Sequence, residues 1–289
     1  MAKVVAVHGI GQQFKGAPIL VREWWPALRS GLQLANADFS DESDFVCPFY
    51  GHLFRPSEAL STTTTYRAED LDPEDWTLLE LWWRAAAEAE PDMVPSPEEF
   101  AADKTLVRWP QIVQRALNAL AKSTFWAGIS QHLLLGDLKQ VVHYLNNPEV
   151  HAKVLGAVIN NITADTQVVI GHSLGSVVAY EALCCKSENV ISFLSLGSPL
   201  GIRNLIFAKL TPRPNAAGMG AWPGHVRHWT NIADRGDVVA LQKQLAPLFG
   251  DKVKDVLVNN GSNAHHGERY LTTREAGEAI RAGLWPTSY

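Results

Sequence analysis

A chain of 289 residues that is 46% apolar can close one large α/β domain, and folding would bury about three quarters of its extended-chain surface. Its 25 basic and 30 acidic side chains give a formal charge of −5 with no Lys/Arg stripe, which argues against nucleic-acid binding. Cys47, Cys184 and Cys185 supply neither a disulfide framework nor a metal-ligand cluster, so they are expected to be free structural thiols, with no metal or cofactor implied.

The first predicted element is a buried parallel strand at KVVAVH, residues 3–8, followed by a sharp turn at HGIGQQ. It is not preceded by the basic segment, apolar region and cleavage site of a secretory signal, and no apolar run reaches the length of a membrane span. These features lead to the expectation of a cytoplasmic protein without stable membrane insertion. Residues 18–36 read as an amphipathic helix and DFVCPFYG as a second strand, an order that fits βαβ construction.

Residues 52–150 are expected to form a helical insertion or cap within a single domain spanning 1–289. From Phe54 to Glu99, acidic residues and prolines alternate with short apolar helical patterns such as WTLLELWWRAAAEAE. Trp76, Trp82 and Trp83 suit two roles there, packing the excursion onto the sheet or lining an apolar groove. Residues 101–147 continue the helical pattern, with expected turns near Trp109-Pro110 and between Thr124 and Gly128.

Residues 166–184, TQVVIGHSLGSVVAYEALC, are the most informative stretch. A β-branched run, a small-residue turn and an amphipathic helix follow one another without a gap. Gly171-His172-Ser173-Leu174-Gly175 within it matches G-x-S-x-G, the strained strand-to-helix turn that lifts a serine hydroxyl above the end of a sheet. Further strands are predicted at VISFLSLGSP, in HVRHWTNIADRGDVVA and at KVKDVLVNNG. A loop is expected at 212–224 and a terminal helix at 272–284, starting near Thr272 or Thr273.

An unassisted alcohol is a weak nucleophile, so Ser173 needs an imidazole to take its proton and a carboxylate to orient that imidazole. Downstream, Asp234 and Asp237 lie in NIADRGDVVA, and His265 and His266 in NAHHGERYL. His265 is the preferred base because it opens the HHGERYL segment just past a predicted strand-end turn, and His266 is the alternative.

The HGIG turn, the GHSLG elbow, the DVV segment and the AHH segment occur in an order that resembles the α/β-hydrolase superfamily, in particular bacterial lipases and serine carboxylesterases. The resemblance spans nearly the whole chain, with weaker support across 52–150. It implies an α/β fold built on a mostly parallel sheet flanked by helices, in which the opening strand is a central one. It also implies a catalytic set of Ser173, Asp237 and His265, with Asp234 as the alternative acid. The backbone N–H groups of Ile10 and Leu174 would form the oxyanion hole, and His8, Gly9, Gly11 and Gln12 would support the loop. His8 and His172 are expected to position neighbours rather than act as bases, and Ser198 to shape a strand exit.

The activity expected from this resemblance is hydrolysis of a carboxylic ester through an acyl-enzyme, acting on a small or hydrophobic acyl ester and needing no cofactor. Thioester or amide hydrolysis uses the same machinery, and a non-catalytic binding protein on the same fold is the alternative from another class. Nothing in the sequence specifies an oligomeric state.

Overall fold

The computed structural model describes residues 1–55, 66–101, 109–126, 131–261 and 264–286. Its centre is a six-stranded, wholly parallel sheet. The strands are β1 (Val4–Val7), β2 (Phe45–Val46), β3 (Val168–His172), β4 (Ser192–Leu196), β5 (His228–Asp234) and β6 (Val253–Val258), in the order β2-β1-β3-β4-β5-β6. The order reverses direction between β1 and β3, whose register pairs Val7 with Gly171, so the two central strands end side by side with their following loops diverging. Such a reversal opens a crevice at the carboxyl ends of the strands, the usual ligand position in open α/β sheets.

Alternation along the strands explains why both faces are covered. Val4 and Ala6 of β1, Val168 and Ile170 of β3, and Leu194 and Leu196 of β4 join one core. That core includes side chains of α1 (Ala17–Leu34), α9 (Gly267–Leu271) and α10 (Arg274–Leu284). Val5, Val7, Val169 and Phe193 point the other way, into a core with α7 (Leu174–Cys185), α6 (Pro148–Ile159), the short α8 (Ala246–Phe249) and the helices between β2 and β3. Strands apolar on both faces are what a fully covered parallel sheet requires.

The excursion between β2 and β3 is helical, as expected, and comprises α2 (Pro73–Ala89), α3 (Pro97–Ala101), α4 (Trp109–Leu120), α5 (Gln131–Asn146) and α6. Asp72 caps α2 by accepting from Glu74 N at 3.0 Å and Asp75 N at 2.9 Å, while Asp75 accepts from Asp72 N at 2.9 Å. This reciprocal box satisfies donors that a helix start leaves open. Asp75, fully buried, also meets Lys139, which ties α2 to α5. Trp82 and Trp83 are buried in the core and Trp76 packs against it.

One boundary differs from the sequence expectation. The second strand shrinks to Phe45–Val46, because Pro48 has no N–H for a ladder and the chain then turns into a short 3₁₀ segment at Gly51–Phe54. α4 is described from Trp109, so the turn expected near Trp109-Pro110 adjoins residues outside the described ones. Of the two starts expected for the terminal helix, Thr273 is the one that caps α10, accepting from Ala276 N at 3.2 Å. The expected helical stretch at 102–108, part of the turn reaching Gly128, and residues 56–65 of the insertion lie outside the described residues. Cys47 is buried, Cys184 half-buried and Cys185 exposed, all as free thiols. Among the described residues, no helix is long and apolar enough to cross a membrane.

Candidate active site

The elbow forms where β3 passes into α7. Ser173 sits between them with φ 53° and ψ −133°, a positive φ that a non-glycine residue adopts at a cost of about 1–3 kcal/mol. The turn is held by Ser173 N donating to Leu196 O at 2.9 Å and by Ser176 N donating to Ser173 O at 2.9 Å. Two glycines are required by close approach. A Cβ on Gly175 would lie 2.3 Å from the carbonyl oxygens of Val7 and His8, and one on Gly171 would lie 2.5 Å from Ser176 Cα. Ser198 stands beneath the turn, its Oγ 2.6 Å from Ser176 Oγ and accepting from Leu200 N at 3.2 Å, so it shapes the strand exit as expected.

The HGIG loop leaves β1 directly beside this serine. A Cβ on Gly9 would fall 2.7 Å from Ser173 Cβ, so only glycine lets the two backbones meet. His8 is buried; its Nδ1 donates to Gly9 O at 2.8 Å, and its ring stacks on Tyr50 with centroids 4.0 Å apart. Burial holds its pKa down to about 4, the Gly9 hydrogen bond opposing, so His8 is a neutral brace. Gln12 Nε2 donates to Ile10 O at 3.3 Å, and Gln140 Oε1 accepts from Gly11 N at 3.3 Å. Among the described residues, no backbone hydrogen bond uses the N–H of Ile10 or of Leu174.

Asp237 lies just past the end of β5, and His265 in the loop between β6 and α9. The structure brings them together: His265 Nδ1 donates to Asp237 Oδ2 at 2.7 Å. Oδ1 of the same carboxylate accepts from Val239 N at 2.9 Å and Ala240 N at 3.2 Å, and Tyr270 Oη donates to Oδ2 at 2.7 Å. Full burial would raise the Asp237 pKa, but His265 and Tyr270 outweigh it and hold the carboxyl at about 2, ionised throughout the neutral range. Tyr270 Oη also accepts from Asp234 N at 2.9 Å, which locks α9 to the end of β5.

Asp234 has a different role from the alternative considered for it. Its Oδ1 accepts from Gly236 N at 2.7 Å and its Oδ2 from Asn260 N, so it organises the turn that presents Asp237. His266 is the exposed N-cap residue of α9 and does not contact Asp237 among the described hydrogen bonds. His172 donates from Nε2 to His265 O at 2.5 Å, clamping the histidine loop onto the elbow. Burial, reinforced by the His265 charge, lowers its pKa to about 3, so it stays neutral.

Ser173 and His265 open onto one cavity of about 480 Å³, walled by Ile10, Gln12, Trp24, Trp82, Phe125 and Trp126 among others. Trp82 thus fills both roles foreseen for it, core and groove. Among the described residues no hydrogen bond joins Ser173 Oγ to the His265 ring, and no group of three His, Cys, Asp or Glu is placed to hold a metal ion. Tyr270 and the cap residues Asp137 and Gln140 were not anticipated. An aromatic four residues past a histidine pair carries no distinctive signal, and a polar pair three apart on a helix marks a shared face without naming what it faces. No family model and no curated protein matches the chain.

Proposed function

We propose that this protein is a serine carboxylesterase of the α/β-hydrolase type, acting through an acyl-enzyme on small or hydrophobic acyl esters. The observation that carries the reading is the contact of a fully buried, ionised Asp237 with His265, whose ring shares a cavity with the strained Ser173. Because the Nδ1–H of His265 donates a hydrogen bond to Asp237, Nε2 is left as an acceptor, the tautomer a general base needs.

In the first half-reaction Ser173 Oγ attacks the ester carbonyl while His265 Nε2 takes its proton. The tetrahedral oxyanion is stabilised by the N–H groups of Ile10 and Leu174, the latter at the start of α7 where the helix dipole adds positive potential. The imidazolium then protonates the departing alkoxide, and the carbonyl re-forms as the Ser173 ester. In the second half, His265 removes a proton from water, hydroxide adds to the acyl carbon, and collapse returns the proton to Ser173. Asp237 keeps its charge throughout and stabilises the imidazolium. A cavity of this size suits a small ligand, with aromatic side chains to receive an acyl group.

The missing Ser173–His265 hydrogen bond is the one observation that favours the non-catalytic reading, although such contacts commonly tighten only when substrate binds. Labelling with a broad fluorophosphonate separates the two. Stoichiometric modification is expected, abolished in Ser173→Ala and in His265→Ala, and largely kept in His266→Ala. A folded protein that neither labels nor turns over a panel of short 4-nitrophenyl esters would sink the esterase reading.

A further inference from the structure

Among the ionisable groups in the cavity that have no part in the acyl-transfer steps, Asp137 lies closest to hand for a substrate-binding role. Asp137, on α5, stands over the HGIG loop, its Oδ1 3.4 Å and its Oδ2 3.7 Å from the point a Cβ on Gly11 would occupy. It shares the cavity with Ser173 and His265. One turn further along α5, Gln140 holds the loop through Gly11 N and reaches Asp137 Oδ1 only at 3.5 Å, the outer limit of a hydrogen bond.

Among the described residues, no lysine or arginine forms an ion pair with this carboxyl. Lys15 lines the same cavity but is paired with Glu23 at 2.5 Å, and Lys139 is directed to Asp72 and Asp75. Burial accordingly raises the Asp137 pKa to about 7, with the His265 charge pulling the other way. A half-buried carboxyl that receives so little hydrogen bonding from the protein is open to a ligand that completes its bonding.

Resting on the esterase reading for the reaction, we propose that Asp137 determines specificity by hydrogen-bonding a free hydroxyl of the substrate, so that the preferred ester is a hydroxylated one such as a partly acylated polyol. A hydroxyl fits better than an ammonium group for two reasons. The His265 imidazolium formed during reaction opposes a second cation. A carboxyl that exchanges its proton near neutrality needs a partner that both donates and accepts, and a hydroxyl does both. The aromatic wall of Trp82, Phe125 and Trp126 is left for the apolar part of the ester.

Binding is measured in Ser173→Ala, where substrate persists, by quenching of the cavity tryptophans on titration with glycerol monobutyrate, propyl butyrate and 2-aminoethyl butyrate. The hydroxylated ester is expected to bind about tenfold more tightly than the propyl ester, and Asp137→Leu in the same background to erase that ratio. Asp137→Asn, which keeps size and hydrogen bonding, is expected to retain part of the preference and serves if the leucine variant misfolds. Equal affinities, a preference that survives Asp137→Leu, or tightest binding of the aminoethyl ester would each overturn the proposal. Fluorophosphonate labelling of the unsubstituted protein reports separately on the chemistry: a hydroxyl preference without labelling refutes the esterase and leaves the role of Asp137 standing.

Discussion

Tyr270 shows how one side chain can serve two masters. Its hydroxyl proton goes to Asp237 Oδ2, while its oxygen receives the N–H of Asp234, so it fixes both the orienting carboxylate and the end of β5. Removing it leaves Asp237 fully buried with one donor fewer and one backbone N–H without a partner. Tyr270→Phe is therefore expected to lower kcat/KM about tenfold and to cost about 1–2 kcal/mol in urea unfolding, with the fold retained. If turnover is unchanged while stability falls, Tyr270 is only a structural anchor. At this scale the legible residues were those tied to a turn motif: Ser173, Asp237 and His265 could be read from GHSLG, DVV and AHH. Tyr270, Asp137 and Gln140 could not, because each acts through a tertiary neighbour and none is constrained by its local sequence.

At the scale of elements, strands and helices were legible wherever periodicity was strong. They drifted where a single backbone group decided the boundary, as Pro48 does for β2. The parallel pairing of strands was legible in the βαβ pattern and the central place of β1 in the resemblance, but the seating of the cap was not, since a helix pattern states which face is apolar and not which neighbour covers it. Part of that seating runs through Glu181 on α7, buried and accepting from Tyr144 Oη of α5, from His151 Nε2 of α6 at 2.9 Å and from Thr211 N at 2.8 Å. The Glu181 hydrogen bond raises the His151 pKa above its ordinary 6.5, burial opposing. A group whose folded pKa is raised stabilises the fold fully below its unfolded value, and the contribution is lost as pH climbs through the folded pKa. The stability advantage over His151→Gln should therefore be greatest near about pH 5.5 and shrink toward about pH 8.5 in urea titrations. A gap independent of pH would show that His151 contributes by packing alone.

Across the whole molecule, the carboxylate proposed to orient the base also links stability to acid. Asp237 is fully buried and bonded to His265, Tyr270 and two backbone N–H groups, which brings its pKa from an ordinary 3.8 to about 2. The unfolded chain therefore binds a proton at Asp237 before the folded one does. The sign follows: the contribution is complete above the unfolded value and disappears as pH falls toward the folded one. Its size is about 2 kcal/mol, from nearly two units at about 1.4 kcal/mol each. Other carboxylates titrate in the same window, so the comparison must be differential. Urea midpoints of the unsubstituted protein and Asp237→Asn are expected to lie furthest apart near about pH 5 and to converge as pH is lowered toward about 2.5, because only the former loses this term. Parallel curves across that range would mean that the Asp237 carboxylate is not preferentially ionised in the fold, and the electrostatic support claimed for His265 would go with it.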